Sequence, residues 1–315
     1  MWGSQPPLTG LVFESASPAR PILKWAGGKQ QMLDHLLAHV PAHFNTYIEP
    51  FFGGGALFFA LRPRRAIIAD SNPELINLYR VVASNVEALI AALAPLPLDE
   101  DSFYRIRDLN VEQLDPVARA ARTIYLNRTC FNGLYRVNRK GQFNTPYGRY
   151  TNPTVCDPVN LRAASVVLAA AEIILADYKD VLHNRPQPGD FVFLDPPYLP
   201  VAEYSDFKRY TKEQFREQDH RELAIEVRRL HELGCHVLLT NSNHPLVQDL
   251  YGEYQVKVYQ TLRLINKDAG NRTGEDTLVI IPSRQHKLTL RPVTLPEQMK
   301  RFPPTRFMGS KSAIL

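Results

Sequence analysis

Three apolar runs in this 315-residue chain end on a carboxylate and then turn sharply. A short strand ends at Glu49 before Pro50-Phe51-Phe52-Gly53-Gly54-Gly55, Ala66-Ile67-Ile68-Ala69 ends at Asp70, and Phe191-Val192-Phe193-Leu194 ends at Asp195 before Pro196-Pro197-Tyr198. Helical patterns lie between them. Met32, Leu33, Leu36, Leu37 and Val40 share one face of a helix predicted over Gln31 to Val40, which Pro41 stops. Ala56 to Leu61 reads as a buried helix, and residues near Glu74 to Leu93, Pro116 to Leu126 and Glu222 to Leu233 are helical as well. Further strand signals stand at Glu172 to Ala176 and His236 to Thr240. Tyr254 to Tyr259 and Thr277 to Ile281 read as a closing pair around a polar loop, Asn266 to Asp276. Strands alternating with helices predict an α/β fold with a mostly parallel sheet. In such open sheets the ligand lies outside the carboxyl ends of the strands, so the acids mark the working edge.

The section from Ser71 to about Asp157 carries helices and a loop rich in Asn and Gly but no clear strand, and reads as an insertion. From Arg119 to Tyr150 it holds seven basic residues (Arg119, Arg122, Arg128, Arg136, Arg139, Lys140, Arg149) and no Asp or Glu. Interleaved are Tyr125, Phe131, Tyr135, Phe143, Tyr147 and Tyr150. Basic residues mixed with aromatics suit phosphates and stacked bases; a solvated basic face is the plain alternative. The net charge of +5 and pI near 9.0 lean toward an acidic partner. Cys130, Cys156 and Cys235, odd in number and far apart, indicate neither a disulfide framework nor a zinc knuckle, and fit a reducing compartment. No apolar run approaches a membrane span. Residues 1–20 lack the regions of a signal peptide and read as a loose leader, which leads to a cytoplasmic expectation.

The glycine loop is not a dinucleotide fingerprint, because Phe58 stands where the third glycine belongs after Gly53 and Gly55. Close backbone approach is supported and a pyrophosphate site is not; a nucleoside without a diphosphate fits better. Asp70 is placed to accept from ribose hydroxyls, or else to cap the helix that follows. Upstream, Lys24-Trp25-Ala26-Gly27-Gly28-Lys29 offers an aromatic face for an adenine or a sulfonium cation and a lysine that can meet a carboxylate; a surface turn is the alternative.

Asp195-Pro196-Pro197-Tyr198 is the specific element. An exocyclic amine on a base is a poor nucleophile because its lone pair is delocalised into the ring. A carboxylate and a backbone carbonyl in line with its two N–H bonds would pull the nitrogen toward tetrahedral geometry. Asp195 and the Pro196 carbonyl supply such a pair. Successive prolines fix φ and bring no competing N–H groups, and Tyr198 can stack on a base that has left its helix. Such chemistry needs positioning and electrostatics, not a metal or a covalent intermediate. A rigid turn after a core strand is the plain reading.

Taken together, K-W-A-G-G-K, E-P-F-F-G-G-G, I-I-A-D and D-P-P-Y, in this order, resemble the motifs of the Dam-family DNA adenine-N6 methyltransferases. The stretch from Leu126-Asn127-Arg128 through Phe131-Asn132-Gly133-Leu134-Tyr135-Arg136 to Phe143-Asn144-Thr145-Pro146-Tyr147-Gly148-Arg149-Tyr150 is similar to that family's target-recognition region. The resemblance covers about residues 21 to 282. It implies a Rossmann-like S-adenosylmethionine-dependent methyltransferase sheet with a closing antiparallel hairpin and an inserted helical target-recognition domain. The implied layout is a catalytic domain over 21–70 and 158–285, an insertion over 71–157 and a tail over 286–315. Trp25, Lys29, Asp70 and Asp195 would contact S-adenosylmethionine, with no metal, and Asp195, Pro196, Pro197 and Tyr198 would hold a flipped adenine. Arg136 would read a guanine edge, Leu134 and Pro146 would contact neighbouring bases, Phe131 and Asn132 would wedge near the vacated base, and Tyr150 would lie near the backbone. The implied partner is double-stranded DNA, bound by a monomer away from membranes. Members with this region commonly act at GATC or at sites sharing its first bases.

Open beside this stand a cytosine-N4 enzyme, although those tend to carry Ser in place of Asp195, an RNA or protein methyltransferase, and a DNA-binding regulator without catalysis. Cytosine-C5 chemistry lacks its Pro-Cys nucleophile. Near the end, Arg306-Phe307-Met308-Gly309-Ser310-Lys311 echoes the K-W-A-G-G-K run, as the start of a second such motif or by chance.

Overall fold

A computed structural model describes residues 18–25, 27–138, 140–199, 215–262 and 273–284. The leader through residue 17, the tail from 285 with its R-F-M-G-S-K echo, Arg139, and most of the predicted 266–276 loop lie outside those residues. The strands are β1 (Tyr47–Glu49), β2 (Ala66–Asp70), β3 (Ala171–Leu175), β4 (Phe191–Leu194), β5 (His236–Ser242), β6 (Gln255–Leu262) and β7 (Thr273–Ile281). They form one sheet in the order β3-β2-β1-β4-β5-β7-β6. Neighbours from β3 to β5 are parallel, and β7 is antiparallel to both β5 and β6. The closing hairpin is longer than predicted, since β7 takes in residues 273–276, which read as loop for their polarity.

The helices are α1 (Leu33–Leu37), α2 (Ala56–Leu61), α3 (Pro73–Ser84), α4 (Val86–Leu93), α5 (Glu100–Arg107), α6 (Pro116–Thr129), α7 (Pro158–Leu168), α8 (Tyr178–Asn184), α9 (Glu217–Leu233) and α10 (Pro245–Tyr251). The predicted helix from Gln31 to Val40 is a 3-10 turn, Lys29–Met32, followed by the short α1. What read as one helix from Glu74 to Leu93 is two, meeting at 113° where Asn85 leaves helical dihedrals.

Alternation along the strands gives the sheet two apolar faces. Tyr47, Ile68, Phe191, Phe193 and Leu238 join one core with α2, α3, α4 and α7, and Ile48, Ala69, Val192, Leu194 and Leu239 join the other with α8, α9 and α10. The section 71–157 contributes to two cores. Helix α3 packs on the sheet and α4 joins the same core beside α6 and α7, whereas Phe103, Tyr125, Leu126, Cys130, Tyr135, Val137 and Phe143 make a third, smaller cluster beneath the basic aromatic loop. Within that loop Cys130 bridges Tyr147 and Val137 bridges Phe143.

Candidate active site

Because β2, β1 and β4 are parallel neighbours, Glu49, Asp70 and Asp195 emerge at one edge. The chain runs from β1 to β2 on one side while β4 lies on the other, so the edge is the crevice where strand order reverses.

Between β1 and α2 the glycine loop turns through Gly53 and Gly55 with φ of +47° and +63°, a region that side chains strain to enter. A Cβ at Gly53 would stand 2.7 Å from Trp25 Nε1, so the indole lies directly on bare backbone. The Trp25 ring also meets Tyr135, 5.3 Å away between centroids and tilted by 33°. Asp70 does not cap α3. Asn72 does, its side chain accepting from the N–H groups of Glu74 and Leu75. Asp70 instead accepts from Gly53 N (3.0 Å) and Asn72 N (2.8 Å), with a further bond from Ser71. Burial outweighs these bonds and raises the Asp70 carboxyl to about 6.

On β4 the Asp195 carboxylate has two partners. Lys29 Nζ reaches Oδ2 at 2.7 Å, and Thr240 of β5 donates to Oδ1 at 2.6 Å. Burial raises the Asp195 carboxyl, and Lys29 and Thr240 pull it back. The Lys29 ammonium, only 6% exposed, also donates to the Gly27 carbonyl and sits 4.7 Å from the Tyr198 ring centroid. Glu49 is buried with the Tyr47 hydroxyl on it at 2.7 Å, and burial pushes its carboxyl well above the usual carboxylate range. Pro196 is buried, Pro197 exposed and Tyr198 half-buried, with its hydroxyl 3.4 Å from Asp276 on β7.

A family model described as D12 class N6 adenine-specific DNA methyltransferase matches residues 25–265, most of the chain. The chain belongs to that family. It is 40% identical over 279 residues to the type II methyltransferase M1.LlaDCHI of Lactococcus lactis subsp. cremoris, covering 86% of this chain and 98% of that one. It is 39% identical to the type II methyltransferase M.MjaIII of Methanocaldococcus jannaschii, over 78% of this chain and 93% of the relative. The DNA adenine methylase of Escherichia coli K12 is 32% identical, over 83% and 95%. N6-adenine DNA methylation is the activity of the family, and S-adenosylmethionine is the methyl donor it implies.

In this D12 methyltransferase the recognition-type residues gather in one loop cluster. Phe131, 51% exposed, has its N–H on the Pro146 carbonyl at 2.8 Å, and Asn132 takes a left-handed φ of 55° beside it. The Leu134 carbonyl accepts from Thr145 Oγ1 at 2.7 Å. Arg136 is oriented by Asn144, which accepts from Nε at 2.9 Å. Lys24 Nζ lies 4.8 Å from the Tyr150 ring centroid. The basic stretch, however, is only partly a surface. Arg119 forms a paired contact with Glu74, while Arg122 caps the end of α5 through the carbonyls of Ile106 and Arg107, and Arg128 holds the Ile22 carbonyl. Three of the seven cations therefore act as internal staples, projecting from α6 onto the Glu74 carboxylate in the case of Arg119 and onto backbone carbonyls in the case of Arg122 and Arg128.

Sequence reasoning missed Asn127. Fully buried in α6, its amide accepts from Lys24 N (2.8 Å) and donates to the carbonyls of Lys24 (2.8 Å) and Gly133 (3.1 Å), joining the K-W-A-G-G-K run to the recognition loop. It also missed the polar end of β5, Thr240-Asn241-Ser242, although the rule that flagged the other strand ends applied there equally.

Proposed function

We propose that this methyltransferase acts on N6 of an adenine flipped out of double-stranded DNA, at GATC or a site sharing its first bases, with Asp195, Pro196, Pro197 and Tyr198 forming the transfer site. The Lys29 ammonium and the Thr240 hydroxyl on the Asp195 carboxylate, with the Tyr198 ring 4.7 Å from that ammonium, carry this reading.

The residues at the edge fit S-adenosylmethionine. A carboxylate offers about four acceptor directions, and the backbone takes three at Asp70, leaving room for a ribose hydroxyl. Trp25, half-buried and seated on the backbone of Gly53 and Gly54, offers an apolar edge, and Lys29 offsets the Asp195 charge next to it. When bound, the donor supplies an electrophilic methyl group on a sulfonium. Asp195 and the Pro196 carbonyl then accept from the two N–H bonds of the amine and localise its lone pair. Once nitrogen has a fourth bond, the Asp195 carboxylate is the nearest base for the surplus proton, and burial has raised its proton affinity. Tyr198 stacks on the base and Lys29 fixes the Asp195 rotamer.

The loop over 130–150 reads sequence within the inserted section 71–157. Arg136, pre-oriented by Asn144, pairs with a guanine edge, while Leu134 and Pro146 meet neighbouring bases and Tyr150 the backbone. Phe131 and Asn132 fill the space the adenine leaves. Arg136→Ala lowers discrimination at one base pair by about 1–3 kcal/mol. Competition between single-base variants of the site measures this, and unchanged preference at every position removes Arg136 from readout.

Ribose hydroxyls donate more strongly to an ionised Asp70 than to its neutral acid. Affinity for S-adenosylhomocysteine is therefore level above about pH 6 and falls, by up to about tenfold per unit, as pH drops through the Asp70 value. Without ligand the sign reverses: the stability Asp70 contributes is complete below its unfolded value of 3.8 and is lost as pH rises through about 6. Calorimetric titration between about pH 5 and 8 tests both ends of the claim. Affinity that stays level across the range, or an unchanged profile in Asp70→Ala, rejects the assignment.

The reading as a whole is tested by incubating plasmid DNA with the purified protein and S-adenosylmethionine, then sequencing with base modifications identified directly. N6-methyladenine within one short motif is the expected result. N4-methylcytosine, or no modification, overturns it.

A further inference from the structure

The turn after Asp195 cannot hold itself. Pro196 and Pro197 bring no N–H, and ladder pairing between β4 and β5 ends at Leu194 with Leu239. What fixes its far end is β5. The Leu199 N–H donates to Asn241 Oδ1 at 3.2 Å, and the Leu199 carbonyl accepts from Ser242 Oγ at 2.8 Å. Both backbone groups of Leu199 thus bond to side chains. Together with Thr240 on Asp195 Oδ1, three consecutive residues of one strand grip the segment at its two ends. All three are buried, Thr240 and Asn241 fully.

An amide works here in only one orientation. Asn241 Oδ1 faces the N–H groups of Leu199 and Ser242, the second at 2.9 Å, which turns Nδ2 toward Nδ1 of His220 on α9 at 3.4 Å. Burial lowers the His220 imidazole to about 4, so the ring is neutral and Nδ1 can accept. Flipping the amide would set donor against donor at Leu199.

We propose that Asn241 is a positioning residue for methyl transfer: held in one orientation by His220, it fixes Leu199 and so sets where the Pro196 carbonyl and the Tyr198 ring stand beside the adenine. This rests on the reading of Asp195 to Tyr198 as the transfer site. Asn241 and Ser242 bond to Leu199, to each other and to His220 rather than to Trp25, Lys29, Asp70 or Asp195, so they act on the transfer step more than on donor binding.

The test compares Asn241→Ala, Asn241→Asp, Ser242→Ala and Asp195→Ala by single-turnover methyl transfer to DNA, S-adenosylhomocysteine affinity and thermal unfolding. Displacing the turn by a fraction of an ångström slows transfer in Asn241→Ala about 10- to 100-fold with donor affinity within about threefold. Asn241→Asp keeps the acceptor for Leu199, and His220 can move its proton to Nδ1 and donate to the second oxygen; transfer recovers to within about fivefold of the parent. Parent-like transfer in Asn241→Ala, no recovery in a folded Asn241→Asp, or a loss confined to donor affinity overturns the proposal. Should Asn241→Ala not fold, Ser242→Ala removes only the donor to the Leu199 carbonyl and decides in its place, with at least about threefold slower transfer expected and a parent-like rate refuting. Activity surviving in Asp195→Ala would refute the underlying reading instead, whereas an inactive Asp195→Ala beside a normal Asn241→Ala refutes this inference alone.

Discussion

Asp195→Ala stops DNA methylation, lowering the transfer rate by at least about 10³-fold, the scale on which removing one preorganised electrostatic group acts. Three functions leave with the carboxylate. The amine loses an acceptor, the surplus proton loses its nearest base, and Lys29 loses its counter-charge at 2.7 Å. The last loss makes the variant worse than a simple deletion. The freed ammonium, 6% exposed and already on the Gly27 carbonyl, stays close to the Tyr198 ring and presents positive charge where a nitrogen must become more nucleophilic. Donor affinity falls less than the rate, because Trp25, Asp70 and the glycine loop keep their places although the Asp195 contact is lost. Radiolabelled methyl transfer alongside donor titration separates the two effects. Appreciable turnover in Asp195→Ala would be incompatible with a carboxylate-assisted transfer.

Asn127→Ala is expected to destabilise the fold more than Arg136→Ala. The amide satisfies one N–H and two carbonyls at the junction of three segments, and alanine supplies none of these bonds. Leaving partly buried polar groups unpaired costs about 1–3 kcal/mol each when water cannot reach them. With partial hydration the sum is about 3 kcal/mol, or a melting temperature lower by roughly 5 °C for a chain of this length. The loop cannot close the gap by shifting, since Gly133 already abuts Lys24: a Cβ there would lie 2.7 Å from the Lys24 Cβ. The survivors should bind donor more weakly and discriminate sites less well, both at once, because the K-W-A-G-G-K run and the recognition loop lose their shared anchor. Thermal unfolding within a degree or so of the parent would show the anchor to be redundant.

Strand positions were legible because short apolar runs between turn residues have few other uses: β2 and β4 begin and end as read, and the three acids converge as the parallel order requires. Helices α5, α7, α8 and α10 went unread, although Asp99, Asp157, Asp177 and His244 cap them through their side chains. Asp157-Pro158 repeats the start signal of Asn72-Pro73 and Asp115-Pro116, where a capping residue precedes a proline suited to the first helical turn. The motif residues of the candidate site could be named from the strand ends and from the family resemblance. Their connections could not. Whether Lys29 meets a ligand or Asp195, and whether Arg122 and Arg128 face solvent or backbone, depends on contacts between segments about 100 residues or more apart in one case and on helix rotation in the other. Asn127 was hidden for a further reason. An asparagine near a helix end suggests a loop, and only the packed neighbours show that it serves as a connector.

The crevice gathers Glu49, Asp70 and Asp195 on the side from which a polyanion has to approach. Left fully charged, those side chains would repel the phosphates and also one another. The protein muffles this field from within. Dry surroundings keep Glu49 prone to hold a proton, backbone N–H groups meet Asp70, and a single interior ammonium offsets Asp195. The incoming duplex thus meets a rim whose negative charge is largely answered from inside the protein.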